Sequence, residues 1–116
     1  MTIKLEGRKV LNNQSQFLKG TLEGGILKII SKDETYGYEI VQNINKSGLL
    51  NISEGTLYPI LIRLEKKNMI KAILRKSPLG PMRKYYVITD EGRKELRDFI
   101  DSWQFLKNSI DSLLEG

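Results

Sequence analysis

Ser53-Glu54-Gly55-Thr56-Leu57-Tyr58-Pro59-Ile60-Leu61-Ile62-Arg63-Leu64-Glu65 is the stretch on which the fold turns. Ser53 is an N-cap candidate, and Glu54 suits the positive end of a helix. Leu57, Ile60, Leu61 and Leu64 share one face at helical spacing. Pro59 forfeits one backbone hydrogen bond early in the helix and predicts a local bend. Lys66-Lys67-Asn68 then places positive charge at the negative helix end. Two strand-like runs follow, Ile70 to Lys76 and Lys84 to Thr89, the second rich in aromatic and β-branched residues. Between them Ser77-Pro78-Leu79-Gly80-Pro81-Met82-Arg83 has the Pro and Gly content of a hairpin loop.

Upstream, Leu18, Leu22, Ile26, Ile29 and Ile30 predict a first helix from about Ser15, its N-cap candidate, to Ser31. Gly24-Gly25 in its middle costs helix propensity, so either something approaches the backbone closely there or the helix bends. A turn is expected over Lys32-Asp33-Glu34-Thr35, and a second helix from Tyr36 to Ile44. Ile40, Val41 and Ile44 form its buried stripe, and Gly48 is a natural residue to follow its end. Residues 1–14 lack clear periodicity and read as an arm or a short extra helix.

Downstream, Thr89 is the N-cap of a last helix reaching about Leu114. Leu96, Phe99, Trp103, Leu106, Ile110 and Leu113 recur as a heptad seam, widened by Ile100, Phe105 and Leu114. A domain this small has nothing of its own to cover the far end of that seam, but a second copy of the chain would. The division expected is an arm or short helix at 1–14, a compact domain at 15–89 and a dimerisation helix at 90–116.

The charge is unevenly placed. The 116 residues carry 19 Lys and Arg against 14 Asp and Glu, for +5. Residues 90–116 hold 4 basic and 7 acidic side chains, whereas Arg63 to Lys84 holds 8 basic residues against Glu65 alone. Such a local excess suits a polyanion, nucleic acid first and anionic membrane second, or is a solvated basic face. With no Cys and no His, disulfides, the usual zinc sites and Cys or His nucleophile–base pairs are excluded. No phosphate-cradling Gly-rich loop is present, so the reading is not that of an enzyme, and no metal or other cofactor is expected. No apolar run has the length of a membrane span and no leader pattern opens the chain, so a cytoplasmic protein without membrane contact is expected.

The expected order is three helices, two strands and a helix: mainly α with a small β-hairpin. A short connection joins helices two and three, and the basic excess falls on helix three and the hairpin. This is a winged helix-turn-helix DNA-binding domain followed by a C-terminal dimerisation helix, with helix three directed at the major groove of double-stranded DNA. A winged-helix module that binds protein and never DNA is the alternative. Three motifs, Tyr36-Gly37-Tyr38-Glu39-Ile40, the Ser53–Glu65 stretch, and Arg83-Lys84-Tyr85-Tyr86-Val87-Ile88-Thr89-Asp90-Glu91-Gly92, resemble the PadR family of bacterial transcriptional regulators. The similarity spans roughly residues 18–114. The single C-terminal helix resembles the short subfamily, which implies a homodimer held by that helix and helix one. It further implies a repressor on a pseudo-palindromic operator, released by a small aromatic or drug-like compound, as in multidrug sensing. Pro78, Pro81 and Met82 depart from the Gly- and Arg-rich wings of many members.

The candidate DNA ligands are Tyr38, Ser53, Thr56, Tyr58, Arg63, Lys76, Arg83 and Lys84. Hydroxyls of Ser53 and Thr56 can reach bases or phosphates, although Ser53 equally serves as a cap alone. Tyr58 either donates to a phosphate or packs with its hydroxyl exposed; Tyr38 either touches the DNA backbone or is a core aromatic. Glu54 repels phosphate unless it accepts from a cytosine, or it is only a helix-end residue. Arg63, Lys76, Arg83 and Lys84 are phosphate candidates. The resemblance implies a ligand pocket between subunits at Trp103, with Phe99 and Asp101 as further lining; packing of the dimer core is the other reading of Trp103.

Overall fold

The computed structural model describes residues 20–48 and 52–116. The expectations for residues 1–14 and for the Ser15 cap lie outside these. The elements run α1 (Leu22–Lys32), β1 (Thr35–Tyr36), α2 (Gly37–Lys46), α3 (Glu54–Lys66), β2 (Ile70–Lys76), β3 (Met82–Ile88) and α4 (Asp90–Glu115). This is a winged helix-turn-helix with a long C-terminal helix, as the sequence led us to expect.

The first helix differs at its start. Gly20 has φ +95° and stands in a turn with Thr21, and the helix begins after them at Leu22. From Leu22 onward, Leu22, Ile26 and Ile30 repeat every fourth residue and are buried together with Leu27. The close approach expected at Gly24-Gly25 falls on one glycine only. A Cβ on Gly24 would lie 2.3 Å from the Phe99 ring, whereas one on Gly25 would meet nothing within 4 Å. Gly24 therefore seats the C-terminal helix against α1.

The turn expected at residues 32–35 and the helical reading of Tyr36 are both corrected. Thr35 and Tyr36 are extended and pair antiparallel with Tyr86 and Tyr85 of β3. The sheet order is β1-β3-β2. Two residues are too few to show an alternating pattern, and the pairing energy comes from a partner fifty residues away. α2 then buries Ile40, Val41 and Ile44, and Gly48 follows its end at φ +94°.

α3 runs through Pro59 as a single span and buries Leu57, Leu61 and Leu64, with Ile60 packed against them. Beyond its last residue Asn68 turns the chain, in the left-handed region at φ 61°, and the Met69 N–H donates to the Leu64 carbonyl at 3.0 Å. In the hairpin, register runs from Ile70↔Ile88 to Lys76↔Met82. The loop is residues 77–81, shorter than expected, because the Ser77 N–H donates to the Pro81 carbonyl at 2.9 Å and closes the ladder beside Met82.

The core lies where α1, α2 and α3 meet the sheet face carrying Ile70 and Tyr86. Burial pushes the Tyr86 hydroxyl up to about 12. Leu96 is also in this core, so it is a monomer-core residue and not part of a free seam. Phe99 is half-buried on Gly24. The remaining seam residues Trp103, Leu106, Ile110 and Leu113 are exposed in the single chain, as are Ile100, Phe105 and Leu114.

Candidate nucleic-acid interface

α3 begins as the Ser53 side chain predicts. Its Oγ accepts from the Thr56 N–H at 3.3 Å and lies 3.4 Å from the Thr56 hydroxyl. Ser53 is therefore a cap, with Thr56 exposed one turn on. Asn45 of α2 grips the approach to this helix. Its side-chain oxygen accepts from the Ile52 N–H at 2.8 Å and its amide donates to the Ile52 carbonyl at 3.4 Å. Sequence reasoning missed Asn45; an Asn near a helix end, seven residues before Ile52, carries no signal until the turn is folded.

Beside the start of α3, a cleft of about 380 Å³ is lined by Tyr36, Gly37, Tyr38, Glu54, Tyr58, Arg83 and Lys84. Four of the candidate DNA ligands, Tyr38, Tyr58, Arg83 and Lys84, thus converge on one surface from α2, α3 and β3. Tyr38 is 53 % exposed, which removes the core-aromatic reading. Arg83 lies over the Tyr36 ring at 4.0 Å, and Tyr36 in turn meets Tyr85 edge-on at 5.3 Å. This cation–π platform holds the guanidinium on the cleft wall while leaving its donors available. Tyr36 was not foreseen as a site residue; its role depends on β1 pairing with β3.

Tyr58 is placed differently from the phosphate-donor reading. Its hydroxyl donates to Glu54 Oε2 at 3.2 Å. Burial, and then the hydrogen bond and charge of Glu54, raise its pKa, so the proton stays on the tyrosine. The ring tip rests on Gly37, where an added Cβ would lie 2.5 Å from the hydroxyl oxygen.

Arg63 is not brought to the cleft. It lies ten residues beyond Ser53, about 15 Å along the helix, and its Nε donates to Glu23 Oε2 of α1 at 2.5 Å. Lys67 approaches the same carboxylate at 3.8 Å. Arg63 therefore ties α3 to α1. Lys84 is 3.7 Å from Glu65, a loose exposed pair worth at most about 1 kcal/mol, which a phosphate can displace. Lys76 is exposed at the far end of the hairpin, opposite Met82. Arg75 is held by both oxygens of Glu34, which raises its pKa further and answers its charge within the chain. The wing tip itself is apolar, with Leu79 86 % exposed.

On α4 the three candidate ligand residues do not share a face. Phe99 and Trp103 are one turn apart, but Asp101 projects about 160° away from both. Asp101 therefore cannot line a cavity with them from the same helix. Among the described residues there is no cluster of side chains suited to a metal ion. Among them no helix is long and apolar enough to cross a membrane.

Comparison with known proteins agrees with this architecture. A PadR-like transcriptional regulator of Bacillus cereus is 48% identical, with 87% of this chain and 98% of that one covered at a TM-score of 0.79. A PadR family regulator of Eggerthella lenta is 30% identical over 94% of this chain and 95% of that one, with a TM-score of 0.83. The chain is also 28% identical over 112 residues to the transcriptional regulator YqjI of Escherichia coli, of which it spans about half, 52%. The family model of PadR-like transcriptional regulators matches residues 26–98. Fold, motifs and relatives thus agree, and the chain belongs to the PadR-like family of transcriptional regulators.

Proposed function

We propose that this protein is a repressor that binds a pseudo-palindromic operator in double-stranded DNA as a homodimer, in the cytoplasm. The observation that carries the reading is the convergence of Tyr38, Arg83 and Lys84 on the cleft beside the open end of α3. In the proposed complex the first turns of α3 enter the major groove. Arg83 and Lys84 meet phosphates at its edge, and Lys76 does so further along the wing. Residues 15–89 serve DNA, and residues 90–116 serve association. Exposed Trp103, Leu106, Ile110 and Leu113 are the apolar face that a second copy would cover. Two copies then address half-sites about 10 base pairs apart, or a multiple of that spacing.

The test is binding to the DNA upstream of the protein's own gene, followed by fluorescence anisotropy across a salt series. Arg83→Ala and Lys84→Ala each lower the salt slope by about 1 and weaken all sequences alike. Arg63→Ala leaves the slope unchanged, because Glu23 already answers that charge. No salt-dependent binding to any duplex would sink the reading in favour of a protein-binding module.

The proposal extends to release of DNA by a small aromatic ligand stacked on Trp103 between the two copies. Trp103 is the only tryptophan, so its fluorescence reports directly. Planar aromatic compounds that dissociate the operator complex are expected to quench it. A broad panel that neither quenches nor releases DNA leaves Trp103 as packing alone.

A further inference from the structure

An acid sits in the cleft that the proposed function assigns to a polyanion. Glu54 is the first residue of α3, is exposed, and lines the cleft with Arg83 and Lys84. It is the only acidic side chain among the residues lining that cleft. At such a surface a carboxylate repels every phosphate it approaches, so on non-specific DNA it weakens binding. Yet it is held in place. The Tyr58 hydroxyl, one turn later, donates to Oε2 at 3.2 Å. Tyr58 keeps that position because Gly37 presents no side chain to its ring tip. Oε1 is open to solvent and free to accept from a ligand in the cleft.

The bases differ in what they offer such an acceptor in the major groove. Guanine presents N7 and O6, both acceptors, and thymine presents O4 and a methyl group. Adenine has an N6 amine, but its N7 acceptor lies beside it and repels a carboxylate. Cytosine alone offers an amine donor, N4, without an adjacent acceptor on its own edge. A fixed carboxylate at the tip of a groove-directed helix is therefore attracted by one base and repelled by the others and by the backbone.

We propose that Glu54 is a specificity-determining residue that accepts a hydrogen bond from cytosine N4, with Tyr58 as its positioning residue. The inference rests on the DNA-binding reading above. It gives the helix a discriminating contact that Ser53, spent on capping, does not supply.

The test is selection of sites from a randomised duplex library by the full chain, for the wild type, Glu54→Ala, Glu54→Gln and Tyr58→Phe. Anisotropy on the selected site and on an unrelated duplex follows. The wild type is expected to select one cytosine per half-site and to lose roughly 5- to 150-fold in affinity when it is replaced. Glu54→Ala abolishes that preference while binding the unrelated duplex more tightly, because a repulsive charge is gone. Glu54→Gln moves the preference toward adenine, whose N6 and N7 match an amide. Tyr58→Phe weakens the cytosine preference by a larger factor than it changes affinity for unrelated DNA. A merely structural Glu54 would lower all affinities alike and leave the selected sequence unchanged, and that result overturns the proposal. If the wild type binds duplex DNA but selects no cytosine, the proposal is overturned; if it binds no duplex at all, the DNA-binding reading fails instead.

Discussion

Gly92→Ala lowers the melting temperature by on the order of 10 °C. Gly92 is the third residue of α4, and a Cβ there would lie 2.1 Å from the Met69 carbonyl oxygen and 2.8 Å from Ile88 Cγ1. The oxygen cannot move aside. It accepts from the Thr89 N–H at 3.1 Å, and the adjacent Asn68 carbonyl accepts from the Thr89 hydroxyl at 2.7 Å. The same hydroxyl accepts from the Gly92 N–H at 2.9 Å, so the start of α4 is bonded to the end of α3 through the atoms that would be pushed apart. Overpacking of this kind costs roughly 1–3 kcal/mol, and more when backbone must yield. Better helix propensity returns only about 1 kcal/mol. A net loss of about 2 kcal/mol corresponds to roughly 10 °C in a chain of this size. Gly25→Ala is the control, since its Cβ meets nothing within 4 Å, and thermal unfolding should show it unchanged or more stable. Equal melting temperatures for the Gly92 variant and the wild type would mean that this junction is looser than the geometry shows.

Leu106→Glu combined with Ile110→Glu converts the proposed dimer to a folded monomer. Both side chains are exposed in the single chain, at 51% and 43%, so charges there do not disturb its core. Across an association interface the same four carboxylates, two per copy, would be buried without partners and would repel one another. Sedimentation velocity should show the monomer at concentrations where the wild type is dimeric. Affinity for the full operator should fall by roughly 10²-fold or more, because two half-sites are no longer engaged together, while affinity for an isolated half-site stays the same. A dimer that survives both substitutions would place the interface elsewhere.

Much of the fold was legible because local rules agreed with one another. Ser53, Thr89 and Gly48 announce helix boundaries by chemistry that acts within four residues, and each occupies the place expected of it. The buried stripe of Leu57, Leu61 and Leu64 follows from periodicity, and the antiparallel pairing of Ile70–Lys76 from the strand formers of its partner and the Pro- and Gly-containing loop between them. The paired glycines at 24 and 25 also signalled a close approach, though nothing local could say which of them met it. What failed locally was what depends on distant partners. β1 exists because β3 offers it a ladder, and Leu96 left the heptad seam because α1 and the sheet cover it first.

For the site the division is similar. The sequence by itself determined a winged helix with its positive charge concentrated between Arg63 and Lys84, because composition and short-range periodicity are properties of the string, while its motifs carried the resemblance to the PadR family. Only the tertiary structure decided which of those charges face outward together. Glu23 takes Arg63, Glu34 takes Arg75, and Tyr36 holds Arg83 on the cleft wall. Charge pairs form at a few ångströms between residues about forty positions apart, and no spacing rule reaches that far. The same holds for Glu54: its helix-end position is read from the string, but its place in the cleft, held by Tyr58 over Gly37, exists only once α2 and α3 have packed.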